Sequence, residues 1–260
     1  LNYNHNYHLV NFSPWPLMSA LSVMILLMNS IKLFKQKSFI ILLLSIFIIL
    51  MIMYQWWRDV TRESAFQGLH SMNVFKGMKL GMILFIVSEI FFFISFFWSF
   101  FHLSLDKLIN LGMKWPPMGI KVFDPFLIPM LNTIILLTSG ITITWAHNSM
   151  IYNNYKQFMM SMMMTIMLAI YFSMLQGYEY LEASFSISDS SYSSTFFMST
   201  GFHGIHVLIG TSFLMVCFFR FLKLHFNSNH HFGFEAAAWY WHFVDIVWLF
   251  LYLIIYWWSN

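Results

Sequence analysis

Two carboxylates occupy positions where a carboxylate is costly. Glu89 lies in Gly81-Met-Ile-Leu-Phe-Ile-Val-Ser-Glu-Ile-Phe-Phe-Phe, and Asp245 lies in Trp239-Tyr-Trp-His-Phe-Val-Asp-Ile-Val-Trp. An ionisable group inside an apolar span costs at least ~2.5–3.5 kcal/mol on insertion scales, so each is a candidate functional residue. Glu89 falls ten residues past Lys79, about 15 Å along a helix. Its neighbours on that helix face are Phe85, Ile86, Phe92, Phe93 and Phe96, with no counter-ion among them. Such surroundings favour the neutral acid. Two readings stand: a proton-active or lipid-adjacent carboxyl, and a neutral acid bonded to a neighbouring helix for packing. Asp245 has His242 three residues before it on the same face, and Glu235 a turn or two further back. A His242–Asp245 polar pair could neutralise both groups, and fixing helix register is its simpler use.

Histidine is the other candidate for chemistry. The chain has 11, including His203 and His206 at i,i+3 and the adjacent His230-His231. Haem or copper would require histidines at matching depth on facing helices. His203, His206 and His242 could supply that, but no Cys-His cluster, Glu-x-x-His pair or C-x-x-C-H accompanies them. No metal site is expected, and bonding to lipid, water or a neighbouring subunit is the simpler role. Cys217 stands alone, which excludes an intrachain disulfide and a cysteine-based metal site.

The elements that hold these residues follow from composition. Of 260 residues, 59% are hydrophobic, 21% aromatic and 9% charged; mean hydropathy is +0.68. A soluble domain has about 25% charged residues, so a water-facing domain of this size is excluded. The net charge of +3 is dispersed and points to no nucleic acid. The expected fold is an all-α integral membrane protein with one polytopic domain over residues 1–260. Seven apolar stretches match the roughly 20 residues a bilayer needs: about 15–31, 38–57, 76–105, 125–147, 158–180, 195–224 and 234–258. Gly77-x-x-x-Gly81 and Ala236-Ala237-Ala238 allow close helix approach. Residues 1–12 are not expected to act as a cleavable signal peptide. The Lys and Arg residues divide seven against six between the two sides, so charge does not orient the chain. Of the ten acids, Glu89 and Asp245 fall inside spans and the other eight at span ends and linkers. Basic residues gather at two span ends: Arg58 and Arg62, followed by Glu63 and His70, and Arg220 and Lys223, followed by His225. Cations there reach toward headgroups, and phosphates are their natural partners.

Several blocks together resemble a known family. They include Ser13-Pro-Trp-Pro-Leu17, Tyr54-Gln-Trp-Trp-Arg-Asp-Val60, Trp115-Pro-Pro117, Thr144-Trp-Ala-His147 and Gly201-Phe-His-Gly204. The longest runs from Ser228 to Asp245 through His230-His231, Glu235 and Ala236-Ala237-Ala238. Over essentially its whole length the chain resembles subunit III of mitochondrial cytochrome c oxidase, and its Met, Phe and Ile excess looks insect-like.

The resemblance implies seven helices arranged as one–two and three–seven around a lipid-filled cleft. It implies a non-redox core subunit of respiratory complex IV, with no catalytic residue and no cofactor of its own. It would bind phospholipid, stabilise subunit I and support proton uptake during oxygen reduction. Haem a, haem a3, CuA and CuB are expected in partner subunits. The partners implied are subunit I as main contact, subunit II and small nuclear-encoded subunits. By resemblance Glu89 is a buried carboxyl. Trp57, Glu63, His70, Arg220 and His225 bind phospholipid, and His5 and His8 lie on the matrix face where protons reach subunit I. The implied location is the mitochondrial inner membrane, with the N-terminus in the matrix and the C-terminus in the intermembrane space. Leu69 departs from a histidine common beside His70 in vertebrate members. The alternative is a stand-alone proton-coupled transporter or channel with Glu89, Asp245 and His242 as a relay. A haem-binding oxidoreductase is a third reading.

Overall fold

In a bilayer every backbone polar group must be satisfied internally, which leaves a chain this apolar to helices. The computed structural model describes residues 7–37, 39–106 and 113–260. Among the described residues, seven helices are long and apolar enough to cross a membrane. They are α1 (Trp15–Gln36), α2 (Phe39–Ala65), α3 (Met72–Leu105), α4 (Ile128–Ile151), α5 (Tyr155–Glu182), α6 (Ser191–Leu222) and α7 (Phe232–Leu251). A π-helical turn, Tyr252–Trp257, continues α7.

Local signals set the ends. Proline in the first turn opens α1 and α4, where a missing N–H costs nothing. Lys37 closes α1 in the left-handed region, φ 52°, and donates its N–H to Leu33. Asn154 caps α5, and Ser190 and Ser193 form a reciprocal capping box on α6. Several helices overrun their apolar stretches. The second stretch ends at Trp57, whereas α2 continues to Ala65 and carries Arg58, Asp59, Arg62 and Glu63 on its last two turns. Helix propensity does not stop at the hydrocarbon edge, so charged residues ride out on the same helix.

The chain divides into two compact units, residues 1–78 and 79–260, with the boundary inside α3. In the first, α1 packs on α2. Few of its side chains are buried, Ser22, Ser45 and Ile52 among them. Its polar end is tied by the Trp15 indole, which donates to Asp59 Oδ2 at 2.7 Å, while Arg58 holds Oδ1 at 3.0 Å. Replacing Trp15 by Phe keeps the ring and deletes that bond. The expected cost is about 1 kcal/mol, read as faster amide hydrogen exchange in the last turns of α2.

In the second unit, α4 packs on α5, α5 on α6, α6 on α7 and α7 on α4. α7 is apolar nearly all round and buries Ala236, Ala237, Ala238, Tyr240, Trp241, Phe243, Val244, Val247 and Trp248, as the core helix of a membrane bundle must. α7 lays the Trp241 ring against α6 at Gly210, where an added Cβ would sit 3.0 Å from that ring. α3 meets its neighbours through long rings instead. Phe92 packs edge-on to Phe202, Phe93 to His206, and Phe100 to Trp115.

Candidate functional site: a one-proton pair and two basic helix ends

α3 carries Glu89 and α6 carries His206, 117 positions apart, and the fold brings them to 2.9 Å, His206 Nε2 to Glu89 Oε2. The neighbours of Glu89 on its own helix face include no counter-group. The partner lies on another helix at comparable depth. His206 Nδ1 is 2.7 Å from the Phe202 carbonyl oxygen. A carbonyl only accepts, so Nδ1 carries hydrogen and donates. The contact at Nε2 therefore holds a single proton. Either a carboxylic acid donates to imidazole, or imidazolium donates to carboxylate. Both arrangements are neutral overall, which is what an apolar span tolerates. Phe92, Phe93, Tyr240 and Phe243 surround the imidazole with ring centroids 5.0–6.3 Å away.

Asp245 and His242 both approach Gly140 of α4. A Cβ built there would lie 2.8 Å from Asp245 Oδ2 and 3.7 Å from His242 Nδ1. No hydrogen bond joins the two side chains among the described residues, and Asp245 Oδ1 is buried without a partner. Among the described residues Glu89 bonds to His206, and no hydrogen bond links it to Asp245 or His242. His203 is fully buried, donates through Nε2 to the Val244 carbonyl at 3.2 Å and packs on Trp248. Its neighbour in sequence, His206, is committed to Glu89. A third buried acid was missed: Glu179 sits near the end of α5, yet its side chain is fully buried beside Tyr256. Its neighbours Tyr178 and Leu181 in the same last turn are exposed, so the helix turns Glu179 alone inward, against Tyr256.

The basic helix ends differ from each other. In the first unit, His8 Nε2 is 3.0 Å from Glu63 Oε2, and the His8 and His70 rings are 5.5 Å apart. The fold therefore joins residues that the resemblance assigned to two roles, proton uptake (His8) and lipid binding (Glu63, His70). Trp57 is exposed on α2; His5 lies outside the described residues. In the second unit, Arg220 is half-buried, its guanidinium 4.5 Å above the Phe226 ring and close against Gly233. Arg220 Nε is buried without a hydrogen-bond partner, and no carboxylate pairs with this cation among the described residues. His225, just beyond α6, is held below the ordinary histidine pKa by burial, then by Arg220 and Lys223. The local field at this helix end is therefore cationic, with a neutral imidazole beside it.

Comparison with known proteins agrees with this all-helical arrangement. The family model described as cytochrome c oxidase subunit III matches residues 5–260. The proteins named cytochrome c oxidase subunit 3 from Aedes aegypti and Drosophila melanogaster are 60% and 59% identical over 257 residues, covering 99% of this chain and 98% of theirs. That from Dugong dugon is 59% identical over 256 residues, covering 98% of each.

Proposed function

This chain belongs to the cytochrome c oxidase subunit III family, and from that premise we propose that it is the lipid-holding, non-redox subunit of the complex. It is a multi-pass membrane subunit of the oxidase, and the complex it joins transfers electrons to oxygen. In the proposal it packs chiefly on subunit I in the mitochondrial inner membrane, with its N-terminus on the matrix side. Haems and coppers reside in subunits I and II. The chain binds phospholipid, stabilises subunit I and supports proton uptake, with Glu89 as its buried carboxyl.

The observation that carries the lipid reading is Arg220. A half-buried guanidinium without a carboxylate partner needs an anion from outside the described chain, and a phosphodiester headgroup fits its forked donors. Phe226 and Gly233 shape the space around it. Replacing Arg220 by Gln in the assembled oxidase is expected to release one tightly held anionic phospholipid, counted by native mass spectrometry. Unchanged lipid content would overturn the assignment. Glu63, His70, Trp57 and His225 are assigned to lipid on the same reading.

A further inference from the structure

Three side chains far apart in sequence gather at the end of α4 and the start of α7. His147 lies in the last turns of α4, His231 precedes α7 and Glu235 sits in its first turn. One donor atom from each lies within 4.8 Å of the other two. All three belong to the second unit, and neither Glu89 nor Arg220 is part of the group.

Hydrogen bonding fixes which atoms are on offer. His231 Nδ1 is 3.0 Å from the Asn227 carbonyl oxygen, so Nδ1–H donates and Nε2 presents its lone pair. Nε2 faces Glu235 Oε1 at 3.4 Å. Lys79 takes the other oxygen, Oε2, at 2.9 Å, and leaves Oε1 toward the histidines. His147 contributes a buried Nε2 without a hydrogen-bond partner, and its ring is 5.5 Å from that of His231. A proton on His231 would satisfy the His231–Glu235 contact but leave His147 unexplained. A cation shared by all three accounts for every donor.

We propose that His147, His231 and Glu235 form a binding site for a divalent transition metal ion, with Zn²⁺ the best match. Two imidazoles and one carboxylate suit zinc, whereas magnesium and calcium prefer all-oxygen shells. Zinc bonds of about 2.0–2.2 Å put tetrahedral ligands roughly 3.3–3.6 Å apart. The His231–Glu235 separation already meets this, and a small rotation of His147 completes it. The Asn227 carbonyl orients one imidazole as outer-shell partners of zinc histidines do. Three protein ligands leave a fourth position for water. The bound ion would tie the end of α4 to the start of α7.

The test uses the intact oxidase, stripped of loosely bound metal with a chelator and re-equilibrated with Zn²⁺ alone. An anomalous difference peak at the zinc edge between the three side chains is expected. His147→Gln, which breaks no ion pair, is expected to lower the zinc content of the complex by one equivalent and to remove that peak. No peak at this position in the unmodified complex overturns the site. So does a His147→Gln complex with unchanged zinc content. Both readouts count zinc rather than lipid or oxygen turnover, so they stand apart from the lipid-holding role.

Discussion

A hydrophobic carbodiimide is expected to modify the oxidase at Glu89 of this chain, and Glu89→Gln is expected to abolish that labelling. The reagent needs a protonated carboxyl that it can reach from lipid. Glu89 is partly exposed on an apolar stretch of α3, and its contact with His206 contains one proton. Of the two neutral arrangements, the one without separated charges suits a low-dielectric span better, and the labelling tests whether the carboxyl holds the proton. Infrared difference spectra should show a protonated carboxyl band at neutral pH that vanishes in Glu89→Gln. The Gln amide can still donate to His206 Nε2, so this variant should assemble. His206→Phe removes the acceptor instead. It should keep the labelling and lower the thermal midpoint, because a polar group is left unpaired at about 1–3 kcal/mol. A carboxylate band with no labelling would place the proton on His206 and overturn the neutral-acid reading.

The second large effect is steric. Gly210→Val is expected to prevent stable packing of α6 on α7, with little assembled complex recovered. A Cβ at Gly210 would already lie 3.0 and 3.2 Å from two atoms of the Trp241 ring. That ring cannot easily yield: it is fully buried, and its indole N–H donates to Ser139 Oγ at 2.9 Å. Overpacking of this kind costs about 1–3 kcal/mol and sometimes more, and the two further methyl groups of Val add to the contacts that the Ala Cβ alone would make. Gly210→Ala should therefore assemble with a reduced thermal midpoint. Pairing Gly210→Val with Trp241→Leu should recover part of the loss. An unchanged yield for Gly210→Val alone would show that α6 and α7 do not meet at this glycine.

How far the sequence could be read follows from which signals it carries. Glu89 and Asp245 stood out because so few charges lie inside the spans, and Arg220 because a cation ended a helix. Their partners did not stand out. His206 was visible as a histidine at i,i+3 from His203, yet nothing in the linear pattern separated the one that pairs with Glu89 from the one that bonds to Val244. Glu179 falls among the acids at span ends, and nothing in the linear pattern shows that its side chain is buried beside Tyr256. His147 was noted only within a family block. Its place beside His231 and Glu235 depends on α4 running down to where α7 begins.

By itself the sequence determined that the chain is a membrane protein of seven helices, and by resemblance to which family it belongs. The physical reason is that lipid admits only segments whose backbone bonds are internal, and about 20 apolar residues suffice to announce each one. Tertiary structure alone decided which faces meet. In a soluble helix the apolar stripe marks the buried side, but here lipid and core are equally apolar and the stripe is nearly silent. Close packing at Gly210, the single proton between Glu89 and His206, and the triad of His147, His231 and Glu235 emerge only once the helices are assembled.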